Sequence, residues 1–272
     1  MSLTIENNIL MKNGKPFFYL ADTCWSAFTN IKDYYLDYRK SQGFNTLQIN
    51  ILPQWDASAT DLCYEPFEVI DGKYNYKKLN LSYFEHADKM CARAKEKGFE
   101  LALVIMWCNF VPDTWASQFY SKGLMPIDCI DNYINIIHET FTKYEPLYII
   151  SGDTDFNTEQ CIEYYVKCAK QIKELAPNCL YTTHIKGRYT YIPDNLYSYL
   201  DLCFYQSGHN AQNLGMPYLL AEEMADKYKG KPVINSEPCY EDMGYSRQMY
   251  GRWSKEDIIR AAWMSLLSGA SA

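Results

Sequence analysis

The strongest constraint on the fold is an alternation that runs the length of the chain. Short β-branched or aromatic runs are each followed by a longer stretch of helical period, the pattern of βα units around a parallel sheet. The run Leu101–Met106 is apolar throughout, as a strand covered on both faces must be. Six further runs read as strands: Phe17–Ala21, Thr46–Ile51, Leu147–Ser151, Leu180–Thr183, Leu202–Tyr205 and Val233–Ser236. Between and after them, helices are expected over Ile31–Gln42, Leu81–Lys97, Ile130–Phe141, Glu159–Leu175, Pro217–Tyr228 and Lys255–Leu267. Gly43 and Gly98 stand where a helix ends in a left-handed residue. Asn13-Gly14 signals a hairpin ahead of the first unit, and the stretch from Pro53 to about Asn80 reads as a long loop.

Seven such units fit either an open doubly wound sheet or a barrel. No glycine-rich phosphate fingerprint follows the first strand, where an open dinucleotide-binding sheet carries one. Polar residues instead follow almost every strand: Asp22, Asn50, Asn109, Asp153, His184, Gln206 and Glu237. In a barrel these positions converge on one face, the mouth at the carboxyl ends of the strands. The expected class is therefore α/β, a (β/α)8 TIM barrel, and 272 residues is a usual length for one. No linker or low-complexity tract divides the chain, so residues 1–272 read as one domain.

Composition removes several function classes. A net charge of -7 argues against nucleic acid as a partner, because phosphate binding needs a basic surface. No apolar run of eighteen residues exists to span a membrane. The N-terminus lacks the basic and apolar regions of a signal peptide, and the ten cysteines include no CxxC pair. Scattered cysteines of this kind read as small buried hydrophobes in a reducing compartment, so a cytoplasmic protein is expected.

Two carboxylates carry the chemistry. Glu237 closes the run Val233-Ile234-Asn235-Ser236 and precedes Pro238; no helical pattern starts for about fifteen residues, so it has nothing nearby to cap. Asp153 closes Ile150-Ser151-Gly152 at the tip of strand four; Asp155 and Thr158 are better placed to cap the helix that follows. Acids at the tips of strands four and seven are an arrangement that glycosidases use, one protonating the leaving oxygen and the other attacking or activating water. Mutual repulsion then keeps one of them protonated near neutral pH.

Several segments, taken in order, resemble the apiosidase-like glycoside hydrolases, family 140 and its relatives. They are Asn13-Gly14-Lys15-Pro16 with Leu20-Ala21-Asp22-Thr23-Cys24-Trp25, Gly43-Phe44-Asn45-Thr46-Leu47-Gln48, Ile150-Ser151-Gly152-Asp153, Gln206-Ser207-Gly208-His209 and Glu237-Pro238-Cys239-Tyr240-Glu241. The resemblance implies that Asp153 and Glu237 are the catalytic pair. Ser151 replaces the first glycine of the family's Gly-Gly-Asp, and Thr154-Asp155 replaces the following Arg-Asn; the departure falls on the leaving-group side of the pocket, so the resemblance does not by itself imply apiose specificity. It also implies that Gly269-Ala270-Ser271-Ala272 leads into an eighth strand. The expectation is a barrel lacking that strand through C-terminal truncation or natural shortening, with strands one and seven left as open edges unless the N-terminal hairpin covers the gap. The last helix is expected to bury Ile258, Ile259, Ala262, Trp263, Leu266 and Leu267.

Substrate-binding roles are expected for other residues at or near the mouth. Asp22 is assigned to sugar hydroxyls and Trp25 to a stacking wall; His184 and His209 are assigned to hydroxyl recognition. Gln48, Asn50, Trp107, Gln206, Tyr240 and Glu241 complete the set. The expected function is hydrolysis of a glycosidic bond in a plant-type oligosaccharide or polysaccharide, with no metal and no organic cofactor. A metal-dependent amidohydrolase barrel needs an His-x-His pair after strand one, and this chain has Asp22-Thr23-Cys24 there. A non-catalytic carbohydrate-binding barrel remains the other alternative, from which the carboxylate pair is the distinguishing feature.

Overall fold

A computed structural model describes residues 3–30, 33–55, 63–246 and 250–271. The first element is the expected hairpin: β1 (Leu3–Glu6), β2 (Ile9–Lys12) and β3 (Lys15–Pro16) form an antiparallel sheet in that order. Asn13 and Gly14 both take left-handed backbone, φ 54° and 70°, as the tight turn demands. Lys12 reaches Glu100, the first residue of the third barrel strand, at 2.5 Å. The hairpin therefore sits at the amino-terminal ends of the strands, away from the mouth. Among the described residues its strands ladder only with one another, so the alternative that it fills the gap between strands one and seven is not met.

Seven parallel strands make the wall: β4 (Ala21–Thr23), β5 (Thr46–Asn50), β8 (Glu100–Trp107), β9 (Leu147–Gly152), β10 (Leu180–Thr182), β11 (Cys203–Tyr205) and β12 (Val233–Asn235). Five of them form one sheet in the order β10-β9-β8-β5-β4, and β11 pairs with β12. Backbone bonds from Asp201 and Leu202 to the Tyr181 carbonyl tie β10 to the start of β11. Between strands run α1 (Ala27–Asn30), α2 (Asp33–Ser41), α3 (Leu81–Glu96), α4 (Ile130–Phe141), α5 (Glu159–Leu175), α6 (Asp194–Tyr197) and α7 (Met216–Lys227), with α8 (Lys255–Leu267) last. Their starts are capped by the residues the sequence provides: Asn80 accepts from Ser82, Thr158 from Cys161, and Ser254 with Asp257 closes a capping box. Of the expected α2, Ile31 and Lys32 lie outside the described residues.

Three expectations change. The first barrel strand is Ala21–Thr23 rather than Phe17–Ala21. Its partner β5 begins at Thr46, which pairs with Ala21, so residues before Leu20 have no β5 residue to ladder with, and the Phe17 amide donates instead to the Leu10 carbonyl of the hairpin. The stretch from Pro53 to Asn80 is no simple loop, since β6 (Phe67–Ile70) and β7 (Lys73–Leu79) form a hairpin. Its turn is Asp71-Gly72, both at positive φ, a hairpin dipeptide that was legible in the sequence. On α8 the buried residues are Ala261 and Ser265, whereas Ile259, Ala262, Trp263 and Leu267 are exposed. Small side chains face inward there because α8 lies close along α7, and large ones would hold the helices apart.

No ladder joins β4 to β12 among the described residues. A side chain spans that seam instead: Gln48 on β5 donates to Thr23 Oγ1 and to the Ser236 carbonyl, both at 2.9 Å, and accepts from Tyr19 at 3.0 Å. Beyond α8, the Ser271 amide donates to the Val233 carbonyl at 2.6 Å, laying the chain along the free edge of β12. The interior is one cluster of buried apolar side chains from Leu3 to Ala270, with Cys239, Trp253 and Ala261 as a small satellite. All ten cysteines are free thiols and eight are buried. Among the described residues, no helix is long and apolar enough to cross a membrane.

Candidate active site

Strand β9 delivers Asp153 to the mouth on a left-handed turn, φ 48°, a conformation that Asp tolerates better than most residues. Both backbone groups of Asp153 are held. Its amide donates to His184 Nδ1 at 3.2 Å, and its carbonyl accepts from the Trp115 indole at 2.7 Å. Thr158 caps α5, so the Asp153 carboxyl is not drawn into capping. Gly152 is the one residue that fits before it. A Cβ there would lie 2.0 Å from the Trp107 ring, so the ring rests on bare backbone.

Glu237, just past β12, is buried and surrounded by donors. Oε2 lies 2.9 Å from His184 Nε2 and accepts from Gln206 Nε2 at 2.8 Å. Oε1 accepts from the Tyr240 hydroxyl at 2.6 Å and lies 3.3 Å from His209 Nε2. His184 is thus shared between the two acids. Because its Nδ1 accepts from the Asp153 amide, the neutral ring carries its proton on Nε2, facing Glu237.

These surroundings drive the two carboxyls apart. Burial pushes Asp153 well above the usual carboxylate range, the Glu237 charge pushes it the same way, and Lys186 only partly opposes them. Burial works to raise Glu237 as well, but hydrogen bonds from His184 and His209 outweigh it and hold that carboxyl well below its usual range. Burial and the Glu237 charge also raise Tyr240, which stays a neutral phenol able to donate. The two shifts thus run in opposite directions, toward the protonated form at Asp153 and toward the carboxylate at Glu237, the separation that a paired acid and nucleophile or base would require.

Of the residues expected at the mouth, His184, Gln206, His209 and Tyr240 gather around Glu237. His184 has no exposed surface, so it holds the pair in place and is out of reach of sugar hydroxyls. Trp25 and Trp107 lie beside it, with ring centres 5.0 Å apart and 5.3 and 5.7 Å from the His184 ring. Asn50 is buried with both polar atoms of its amide unpartnered, and Asn109 is the same; buried groups left open like this mark sites completed by water or ligand. Gln48 is occupied in the seam. Asp22 points away: Thr23 faces inward, so by strand alternation Asp22 faces outward, where Tyr35 donates to it and Arg39 lies at 2.6 Å. Glu241 is exposed.

Sequence reasoning missed the cleft wall. A cavity of about 280 Å³ opens beside Asp153, lined by Trp115, Lys186, Gly187, Arg188, Asn210 and Ser246 among others. Lys186 pairs with buried Asp155 at 3.1 Å, while no carboxylate among the described residues pairs with Arg188. The available signal was position alone, two basic residues shortly after strand five.

Three solved structures share this fold. A glycoside hydrolase family 5 protein from Bacteroides vulgatus ATCC 8482 is 24% identical with a TM-score of 0.81, matching 100% of this chain and 61% of its own. A second glycoside hydrolase is 23% identical with a TM-score of 0.77, matching 100% of this chain and 64% of its own. The chain thus spans less than two thirds of either. The endo-1,4-β-D-mannanase of Thermotoga petrophila RKU-1 is 16% identical with a TM-score of 0.62, over 94% of this chain and 87% of its own. These likenesses establish a TIM-barrel fold. No curated protein matches the sequence. A family model described as "Apiosidase-like, catalytic domain" matches residues 5–272, and the chain accordingly belongs to the apiosidase-like family.

Proposed function

We propose that the protein is a glycoside hydrolase acting on a plant-type oligosaccharide or polysaccharide by a retaining, two-carboxylate mechanism. The observation that carries this reading is two strand-tip acids in opposite surroundings. Glu237 is ringed by His184, Gln206, His209 and Tyr240, the two histidines lowering its pKa, while burial and the Glu237 charge raise that of Asp153, whose amide bonds to the same His184. In the first step a Glu237 oxygen attacks the anomeric carbon. The glycosidic bond breaks as Asp153 gives its proton to the departing oxygen, leaving a glycosyl ester on Glu237. In the second step Asp153, now a carboxylate, takes a proton from water; that water attacks the anomeric carbon and frees Glu237. Retention calls for carboxyls about 5–5.5 Å apart. Side chains supply every proton and electron pair, so the reading includes no metal and no organic cofactor. Arg188 on the cleft wall, paired with no carboxylate among the described residues, favours sugars bearing a carboxylate, which makes pectin oligosaccharides the first substrates to screen.

The test is hydrolysis by the wild type and two variants, followed by NMR of the first-formed anomer. Glu237→Gln should fold normally and lose activity on every substrate. Asp153→Asn should lower kcat/KM for poor leaving groups by about 10²–10⁴-fold yet leave kcat/KM for a glycosyl fluoride, whose departure needs no proton, near wild type, while kcat on the fluoride falls because the second step has lost its base. Normal turnover by Glu237→Gln sinks the assignment, and an inverted first product replaces the nucleophile with a general base.

A further inference from the structure

Outside the carboxylate cluster, one aromatic ring of the cleft wall is joined by two others. Trp115, in the loop after β8, lines the cavity with Asp153, and its indole N–H donates to the Asp153 carbonyl at 2.7 Å. Trp55, in the segment after β5, meets Trp115 edge to face with ring centres 5.6 Å apart. Phe119 completes the group, 5.8 Å from Trp55 and 6.5 Å from Trp115. Trp55 is 38% exposed and Phe119 56%, in a chain whose other tryptophans near the site are half-buried or buried. Adjoining exposed rings that continue a polar cleft mark a binding surface more often than a folding need.

We propose that Trp55, Trp115 and Phe119 form a stacking platform for a sugar ring on the leaving-group side of the scissile bond. This rests on the glycosidase reading above. Sugar rings present faces of C–H groups that suit aromatic faces, and their hydroxyl edges suit the polar wall of Lys186, Arg188 and Asn210. The side follows from the contacts. Trp115 bonds to the residue that protonates the departing oxygen, whereas the donors around Glu237 come from His184, Gln206, His209 and Tyr240, none of them in these loops. A ring on the platform therefore lies against the acid and away from the nucleophile. The preferred substrate is a glycan with at least one sugar beyond the cleaved bond.

The experiment pairs affinity electrophoresis with kinetics on wild type, Trp55→Ala and Phe119→Ala, using soluble pectin, galactomannan and xyloglucan in the gels. Both substituted side chains are substantially exposed, so the variants should keep the wild-type melting temperature. At least one polysaccharide should retard the wild type and Glu237→Gln, with retardation weakened in both platform variants. For oligosaccharides of the retarding polysaccharide, KM should rise about ten-fold, as expected for one lost stacked ring, while hydrolysis of the matching glycosyl fluoride stays unchanged. Equal migration of wild type and platform variants in every gel overturns the proposal, as does an equal loss on the fluoride. Retardation that depends on the platform, in a protein where Glu237→Gln does not impair hydrolysis, instead leaves the platform standing and removes the catalytic reading.

Discussion

At the scale of single residues, the site works by giving two similar carboxyls opposite surroundings. Asp153 is close to a negative charge, and the cation that opposes its protonation, Lys186, is shared with Asp155. Glu237 is met by four polar groups, and the hydrogen bonds from His184 and His209 hold its pKa down despite its burial. The sign of the pH dependence follows. The proposed mechanism needs Asp153 protonated, so on that reading the alkaline limb of kcat/KM should track the raised Asp153 pKa and lie above the ordinary carboxylate range. Lys186→Met removes the cation that lowers this pKa and leaves Asp155 unneutralised, and both changes favour the protonated acid. The limb should therefore move to higher pH in that variant. A limb that moves to lower pH, or stays fixed, would show that another group controls it.

At the scale of elements, the end of β9 is where packing and chemistry meet. The Trp107 ring occupies the space a side chain at position 152 would need, and Trp107 in turn packs against Trp25 and the His184 ring. Gly152→Ala forces that stack to move. Overpacking of this kind costs about 1–3 kcal/mol, to be read from urea unfolding. A shift of about an ångström at the neighbouring acid should lower kcat about 10²-fold. A variant with both wild-type stability and wild-type kcat would mean that the ring relocates freely. The α8 helix shows the opposite limit of element-level reasoning. Its apolar residues were visible in the sequence, but which stripe is buried depends on how closely α7 approaches, and the close approach selected Ala261 and Ser265 over the larger side chains.

At the scale of the whole molecule, the seam between β4 and β12 is held through Gln48, a buried amide whose three bonds reach Tyr19, Thr23 and the backbone of Ser236. Gln48→Leu keeps approximate size and strands those partners. Leaving buried polar groups unpaired costs about 1–3 kcal/mol, so the melting temperature should fall, and activity with it, because Ser236 adjoins Glu237. Unchanged stability would show that the seam does not depend on this side chain. The βα alternation, the parallel wall, the helix limits at Gly43 and Gly98 and the polar residues after the strands were all legible in the sequence. They rest on local periodicity and on backbone conformations that particular residues favour. The sequence also singled out Asp153 and Glu237 as strand-tip acids and placed His184, Gln206, His209 and Tyr240 at the mouth, though as substrate-binding residues and not as the groups that surround Glu237. Tertiary structure alone decided that Asp22 turns outward to Arg39, that His184 bridges the two acids, and that Trp55, Trp115 and Phe119 come together. Those outcomes depend on strand register and on the meeting of loops far apart in the chain, and periodicity along a single segment carries no information about either.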